Sequence, residues 1–315
     1  MDLSVVIPVM NEEDNVRPLY SRLKKTLDKL TSSYEVIFVD DGSTDHTVEE
    51  VMAIRLEDEK VKLLSFSRNF GHEMANSAGF RKACGEAVVI IDGDLQDPPE
   101  LIEEMYSKYK EGYDVVYAKR ASRKKESWLK KITSKSFYRF MKYMSYVELP
   151  LDTGDFRLLS RRVVNEINEM NEHNRFFRGI THWVGFNVTY VEFNRDGRHA
   201  GETKYNYFKL MRLAVDAILS FSYKPLKLFS IFGIGMSFFS FLFMIYWIVY
   251  KIVTDNPIAG WTSTITIVLF FFGVMMLQIS VLGEYIARIY EEVRRRPLYI
   301  IQKQEGIEDE VTKRD

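Results

Sequence analysis

The run VVIIDGDLQDPP at 88–99 carries four apolar residues straight into three carboxylates, Asp92, Asp94 and Asp97. Asp92 and Asp94 are separated by one residue as the chain leaves a strand, so their oxygens aim to the same side. That is how a hard divalent cation bound to a diphosphate is held. Without a cation the two carboxylates would repel each other beside a buried strand. Asp97 reads more simply as the cap of a helix opened by Pro98 and Pro99. Two further polar runs follow apolar ones, PVMNEE at 8–13 and VDDGSTD at 39–45. There Asn11, Glu12 and Asp41 can accept hydrogen bonds from ring N–H and ribose hydroxyl groups, and the backbone of Pro8 and Val9 can line a base. Asp-Gly-Ser alone is also an ordinary turn. No G-x-x-x-x-G-K-[ST] occurs, and no G-x-G-x-x-G follows the first apolar run, so phosphate-cradling glycine loops lose their support.

Positioning these residues requires a frame. LSVVIPV (3–9), YEVIFVDD (34–41), VKLLSFS (61–67), AVVIIDGD (87–94) and YDVVYAKR (113–120) are nearly continuous in Val, Ile and Phe, the pattern of strands covered on both faces. Amphipathic stretches separate them, which predicts a doubly wound, mostly parallel α/β sheet. Ligands in such sheets bind beyond the carboxyl ends of the strands, and here all five strand ends are polar.

The 315 residues hold 43 basic and 44 acidic side chains, so no global positive charge points to nucleic acid. A single cysteine, Cys84, excludes a disulfide or thiolate-zinc framework. The N-terminus lacks the pattern of a secretory signal. Between Lys227 and Lys251, and again from Asn256 to Gly283, no residue is charged; each run exceeds the roughly 20 residues that cross a bilayer. Residues 205–222 place Leu210, Leu213, Ala214, Ala217, Ile218 and Phe221 on one helical stripe, either an interfacial helix or a core helix. Lys224 and Lys227 precede the first run and Arg288, Arg294, Arg295 and Arg296 follow the second, which by the positive-inside rule puts both ends in the cytosol around one hairpin. The charged tail after Pro297 is expected to be mobile.

Together VVIPVMNEE, VDDGSTD, SRNFGHE, DGDLQDPP and TGDFRLLSRR resemble family 2 glycosyltransferases of the GT-A type, in the polyprenyl-phosphate branch, and the resemblance extends through LGEYIARIYEEVRRRP at 282–297. It implies an inverting transfer from a nucleotide sugar to a lipid phosphate with a divalent metal, Mg²⁺ or Mn²⁺. Asp92, Asp94 and Gln96 correspond to the metal and diphosphate site, and Pro8, Asn11, Glu12, Asp41 and Arg68 to nucleoside contacts. Met10 stands where an aromatic is usual and Gly93 where alanine is usual, the latter expected to loosen the loop.

A lipid phosphate needs cationic donors beside the membrane. Arg120, Lys130, Ser134 and Lys204 are the expected acceptor set, also by correspondence with the family. The phosphate oxygen is already anionic and needs no base, so Asp94, Asp155 and Arg157 are read as the catalytic group, with Asp155 orienting Arg157 or the acceptor and proton abstraction as the alternative. His72, His182 and His199 show no spacing for joint metal ligation and read as interface or surface residues.

The expected organisation is a GT-A domain over 1–204, an interfacial helix over 205–227, transmembrane helices over 228–250 and 261–283, and a cytosolic helix and tail over 284–315. The expected partners are a UDP-sugar, undecaprenyl phosphate, the lipid bilayer and further copies of the chain, with a tetramer anticipated from relatives of the branch and no nucleic acid. Two rivals differ in class: a processive polysaccharide synthase, weakened by the lack of Q-x-x-R-W and of spans for an export channel, and a nucleotide-sugar-binding membrane scaffold, which would need neither the acidic pair nor the basic set.

Overall fold

The computed structural model describes residues 1–120, 153–170, 172–173, 175–193, 224–254 and 260–307. Lys130, Ser134 and Lys204, and residues 205–223 of the expected interfacial helix, lie outside them. The described residues divide into two units, one holding those up to 193 together with 297–307, the other those between 224 and 296.

In the first unit the chain alternates β1 (Leu3–Val9), α1 (Glu13–Leu30), β2 (Tyr34–Asp40), α2 (Thr47–Glu57), β3 (Val61–Phe66), α3 (His72–Lys82), β4 (Ala87–Ile90), α4 (Leu101–Lys110) and β5 (Val115–Arg120). It continues with β6 (Thr153–Ser160), α5 (Arg161–Glu169), α6 (Phe177–Trp183) and β7 (Val188–Phe193). The eight-stranded sheet has the order β7-β5-β6-β4-β1-β2-β3-β8, its last member being β8 (Ile301–Glu305).

β1 and β2 are buried along their whole length, as continuous apolar runs with helices on both faces require. Leu3, Val5, Ile7 and Val9 share one core with Leu19 and Leu23 of α1, Val51 of α2 and Ile102 of α4. Val6 points to the opposite face, toward α3. There a Cβ on Gly79 would stand 2.1 Å from Val6 Cγ1, so the helix lies this close to the sheet only because residue 79 lacks a side chain.

β1 to β4 are mutually parallel. β6 enters between β4 and β5, antiparallel to both, which the sequence reading did not anticipate. Its consequence is positional. An antiparallel strand begins where its neighbours end, so the start of β6 lies at the carboxyl edge, with Arg157 paired to Ile90 and Asp155 two residues nearer that edge.

The tail after Pro297 is not loose through residue 305. β8 pairs antiparallel with β3, Tyr299 stacks on Phe66 with ring centroids 4.9 Å apart, and Ser67 N–H donates to Ile300 O at 3.0 Å. The β-branched pair Ile300–Ile301 supplies the strand propensity, and pairing covers the edge that β3 would otherwise leave open.

The second unit is a helix pair, α7 (Lys224–Thr254) and α8 (Trp261–Arg294). Both are long and apolar enough to cross a membrane, over Leu226–Tyr250 and Thr264–Arg294. Phe238, Phe239, Leu269 and Phe270 are exposed on them, the surface expected of lipid-facing helices. Gln278 Nε2 donates to Phe229 O at 3.5 Å, and a Cβ on Gly233 would lie 3.5 Å from the same nitrogen. Gly233 therefore sits at the helix contact, as small residues do in membrane pairs. Gly235 has open space around it.

Candidate active site

The loops after β1 and β2 are fastened to each other. Asn11 adopts a left-handed conformation at φ +56°, tolerable for Asn because its short polar side chain bonds locally. Its Oδ1 accepts from Thr44 N–H at 2.8 Å while its own N–H donates to Ser43 Oγ at 2.9 Å. Glu12 N–H donates to Thr47 Oγ1 at 2.8 Å, and its carboxylate accepts from Asn15. Asp41 is buried, and both of its oxygens accept backbone N–H bonds, Oδ1 from Phe70 at 2.7 Å and Oδ2 from Gly71 at 3.0 Å. Burial pushes the Asp41 carboxyl up despite those donors. Gly42 at φ +76° brings this turn against the next loop, where a Cβ would stand 2.6 Å from Arg68 C. Arg68 itself is exposed and stacks its guanidinium 4.0 Å over the Phe70 ring.

At the end of β4, Asp94 Oδ1 accepts from Gln96 N–H at 3.1 Å, closing the loop, and the Gln96 side chain is buried. A Cβ on Gly93 would lie 3.0 Å from Val9 Cγ1 and 3.3 Å from Pro8 O. This glycine draws the acidic loop onto the end of β1 rather than simply loosening it. Asp92 Oδ1 is buried and accepts no hydrogen bond among the described residues. Burial pushes the Asp92 carboxyl up to about 6; the charges of Asp155, Asp97 and Asp94 add to this, and His72 opposes it.

The third contribution arrives on β6. His72 Nε2, on the first residue of α3, stands 3.6 Å from Asp92 Oδ1 and 3.8 Å from Asp155 Oδ2. Oxygen or nitrogen atoms of these three residues lie within 4.8 Å of one another, close enough to hold a metal ion. Asp155 is gripped by two guanidinium groups. Arg178 on α6 donates from Nε to Oδ1 and from Nη2 to Oδ2, both at 2.9 Å, and Arg157 Nη2 donates to Oδ1 at 2.8 Å. Burial raises the Asp155 carboxyl, but the Arg178 fork and the charges of Arg157 and Arg178 outweigh it and hold the group below the ordinary carboxylate range. Glu73 shows the opposite balance. Burial, then repulsion from Asp155, pushes it up to about 7.

Residues 4–167 match glycosyl transferase family 2. An uncharacterized glycosyltransferase of Bacillus subtilis (strain 168) is 50% identical over 312 residues, covering 99% of this chain and 97% of that one. The chain belongs to glycosyl transferase family 2. Among its relatives in that family, a prophage-derived bactoprenol glucosyl transferase of Shigella flexneri is 41% identical over 303 residues, 96% of this chain and 98% of the relative. A solved glucosyl-3-phosphoglycerate synthase from Mycobacterium tuberculosis, in complex with Mn²⁺, UDP and glucosyl-3-phosphoglycerate, is 17% identical with a TM-score of 0.47, covering 69% of this chain and 77% of that one.

In this family 2 glycosyltransferase the sheet is the expected GT-A type of mixed α/β arrangement. Asp92, Asp155 and Arg157 come together at its carboxyl edge. Asp94 stands close enough for its charge to raise both Asp92 and Glu12. Arg120 ends β5. Three residues of the cluster were not among the expected site residues. His72 was read as an interface or surface residue, and Glu73 and Arg178 were not singled out. The available signals were the polar SRNFGHE turn after β3 and an arginine next to apolar residues in RFFRGI. Neither spacing reveals that both converge on Asp155.

Proposed function

We propose that this glycosyltransferase moves a sugar, glucose or N-acetylglucosamine, from a UDP-sugar to undecaprenyl phosphate at the cytosolic face of the cell membrane, with inversion at the anomeric carbon. The observation that carries this reading is the Asp92–His72–Asp155 cluster at the carboxyl edge of the sheet, its two carboxylates partly buried and its imidazole exposed, in a chain whose relatives, matched over nearly their whole length, include bactoprenol glucosyl transferases.

The oxygen-rich donor set suits a hard divalent cation, Mg²⁺ or Mn²⁺, and the buried Asp92 Oδ1, without a hydrogen bond among the described residues, fits an atom kept for one. Asp92 and Asp94, with Gln96 beside them, would hold it; when bound, it would supply charge neutralisation to the leaving diphosphate. Pro8, Val9, Asn11, Glu12, Asp41 and Arg68 line the nucleoside side, and Arg120, Lys130, Ser134 and Lys204 receive the acceptor phosphate. That phosphate oxygen is anionic at neutral pH, so the chain's task is to align two anions. Asp155, neutralised by Arg157 and Arg178, orients rather than abstracts a proton.

The membrane reading draws support from β8. A chain that leaves the first unit before α7 and returns after α8 to pair with β3 must cross a bilayer an even number of times. Lysine and arginine at both ends of the helix pair favour the cytosolic side for the sheet. We further assign a homo-oligomer, with a tetramer as the expected form. Purified protein incubated with short-chain polyprenyl phosphate and a panel of nucleotide sugars should transfer one sugar per lipid, from a UDP donor. Polymer formation would favour the processive synthase, and nucleotide-sugar binding without transfer would favour the scaffold.

A further inference from the structure

Arg178 is held differently from the other arginine of the cluster. Arg157 is 1% exposed, and its bonds to Asp155, and from Nη1 to Thr181 Oγ1 at 3.0 Å, satisfy a cation that has no access to water. The Arg178 side chain is 38% exposed against 13% for Asp155. Water could solvate Arg178 if it let go. A long, partly exposed side chain loses rotamer freedom when it is held in one geometry, so its fork matters chiefly for what it does to the carboxylate.

The platform beneath the fork is buried and hydrogen-bonded. Phe177, Ile180 and Thr181 of α6 are buried. Thr181 Oγ1 donates to Phe177 O at 2.7 Å and lies 2.8 Å from Tyr117 OH. The two guanidinium groups come from different elements, β6 and α6, and meet at one carboxylate. Two parallel N–H bonds fix the plane of a carboxylate as well as its position. That plane leaves Oδ2 3.8 Å from His72 Nε2, which in turn stands 3.6 Å from Asp92 Oδ1.

We propose that Arg178 is a positioning residue for sugar transfer: its fork fixes the Asp155 carboxylate so that Oδ2 faces the His72–Asp92 side of the site. The inference rests on the transfer reaction proposed above and adds to it the residue through which Asp155 is set. In this role Arg178 acts through its fork on Asp155. Lysine at this position would keep the charge but lose the planar fork.

The test is a double-mutant cycle on the full-length protein in detergent, comparing wild type, Arg178→Ala, Arg178→Lys, Asp155→Ala and the double Arg178→Ala/Asp155→Ala. The measurements are kcat for sugar transfer, UDP affinity by calorimetry and the melting temperature of each. Arg178→Ala and Arg178→Lys should each lower kcat by about 10- to 100-fold, the scale of a misplaced reacting group, with UDP affinity unchanged. The double variant should be no slower than Asp155→Ala alone. Added guanidinium at low millimolar concentration should restore part of the Arg178→Ala rate and none of the double variant's. Losses that multiply, or an Arg178→Ala enzyme at wild-type rate, would overturn the proposal while wild-type transfer kept the reaction intact. A wild-type protein that transfers no sugar would overturn the reaction and, with it, this role.

Discussion

Divalent-cation affinity should depend on pH through Asp92. Burial raises this carboxyl from its ordinary 3.8 to about 6 in the cation-free site. Cation and proton compete for the same oxygens, so the apparent dissociation constant scales with one plus ten to the power of (pKa minus pH). That factor is about 1.1 at pH 7 and about 11 at pH 5, so lowering the pH by two units should weaken Mn²⁺ binding about tenfold. Glu73, pushed up to about 7, loses its charge in the same window and steepens the loss. The stability of the cation-free protein runs the other way. A carboxyl whose folded pKa lies above its unfolded value favours the fold when protonated, so that contribution is present below about pH 4 and is lost as pH rises through about 6. Mn²⁺ binding should be followed by paramagnetic resonance of the free ion, without UDP, whose terminal phosphate titrates nearby. Asp92→Asn should bind weakly at both pH values, and Glu73→Gln should keep the part of the dependence that belongs to Asp92. Wild-type affinity that is flat between pH 7 and pH 5, or an Asp92→Asn protein that binds as wild type does, would refute the argument.

Gly79→Ala should destabilise the first unit by about 1–3 kcal/mol, the cost of overpacking a close helix–sheet contact, read as a lower melting temperature with the metal site unaltered. Tyr299→Ala should cost about 1 kcal/mol through its stack on Phe66 and increase proteolysis after residue 297. Reporters fused to the C-terminus and inserted near Pro257 should report the cytosolic and outer faces respectively; a C-terminal reporter active outside would contradict the charge asymmetry, and the two ends of the chain reporting opposite faces would contradict the pairing of β8. Lys204→Ala should weaken lipid-phosphate binding about ten- to a hundredfold, the loss of one charge-assisted contact, with UDP affinity preserved; loss of UDP affinity instead would move Lys204 to the donor side.

The strands β1 to β5 and the helices between them were legible because their signals are local: continuous apolar runs, amphipathic spacing and turn residues at each end. The same is true of α7 and α8, whose uncharged runs are visible without a partner. Asp92 and Asp94 could be placed because a parallel strand delivers its C-terminal residues to the ligand edge. Asp155 could be singled out only from its motif, since it precedes Arg157 at the start of a strand whose direction the sequence does not state.

What the chain decides by itself is thus the strands and helices of its first 120 residues, its two long apolar helices, and that its polar strand ends share an edge. Tertiary structure decided the rest. Pairing β6 against β4 and β5 brought Asp155 to Asp92 from a distant segment; packing α6 beneath it supplied Arg178; and β8 returned from the far end of the chain to cover β3. These contacts join residues far apart in sequence. Their free energy comes from burial and pairing that exist only once the sheet has formed, and periodicity within any one segment carries no record of them.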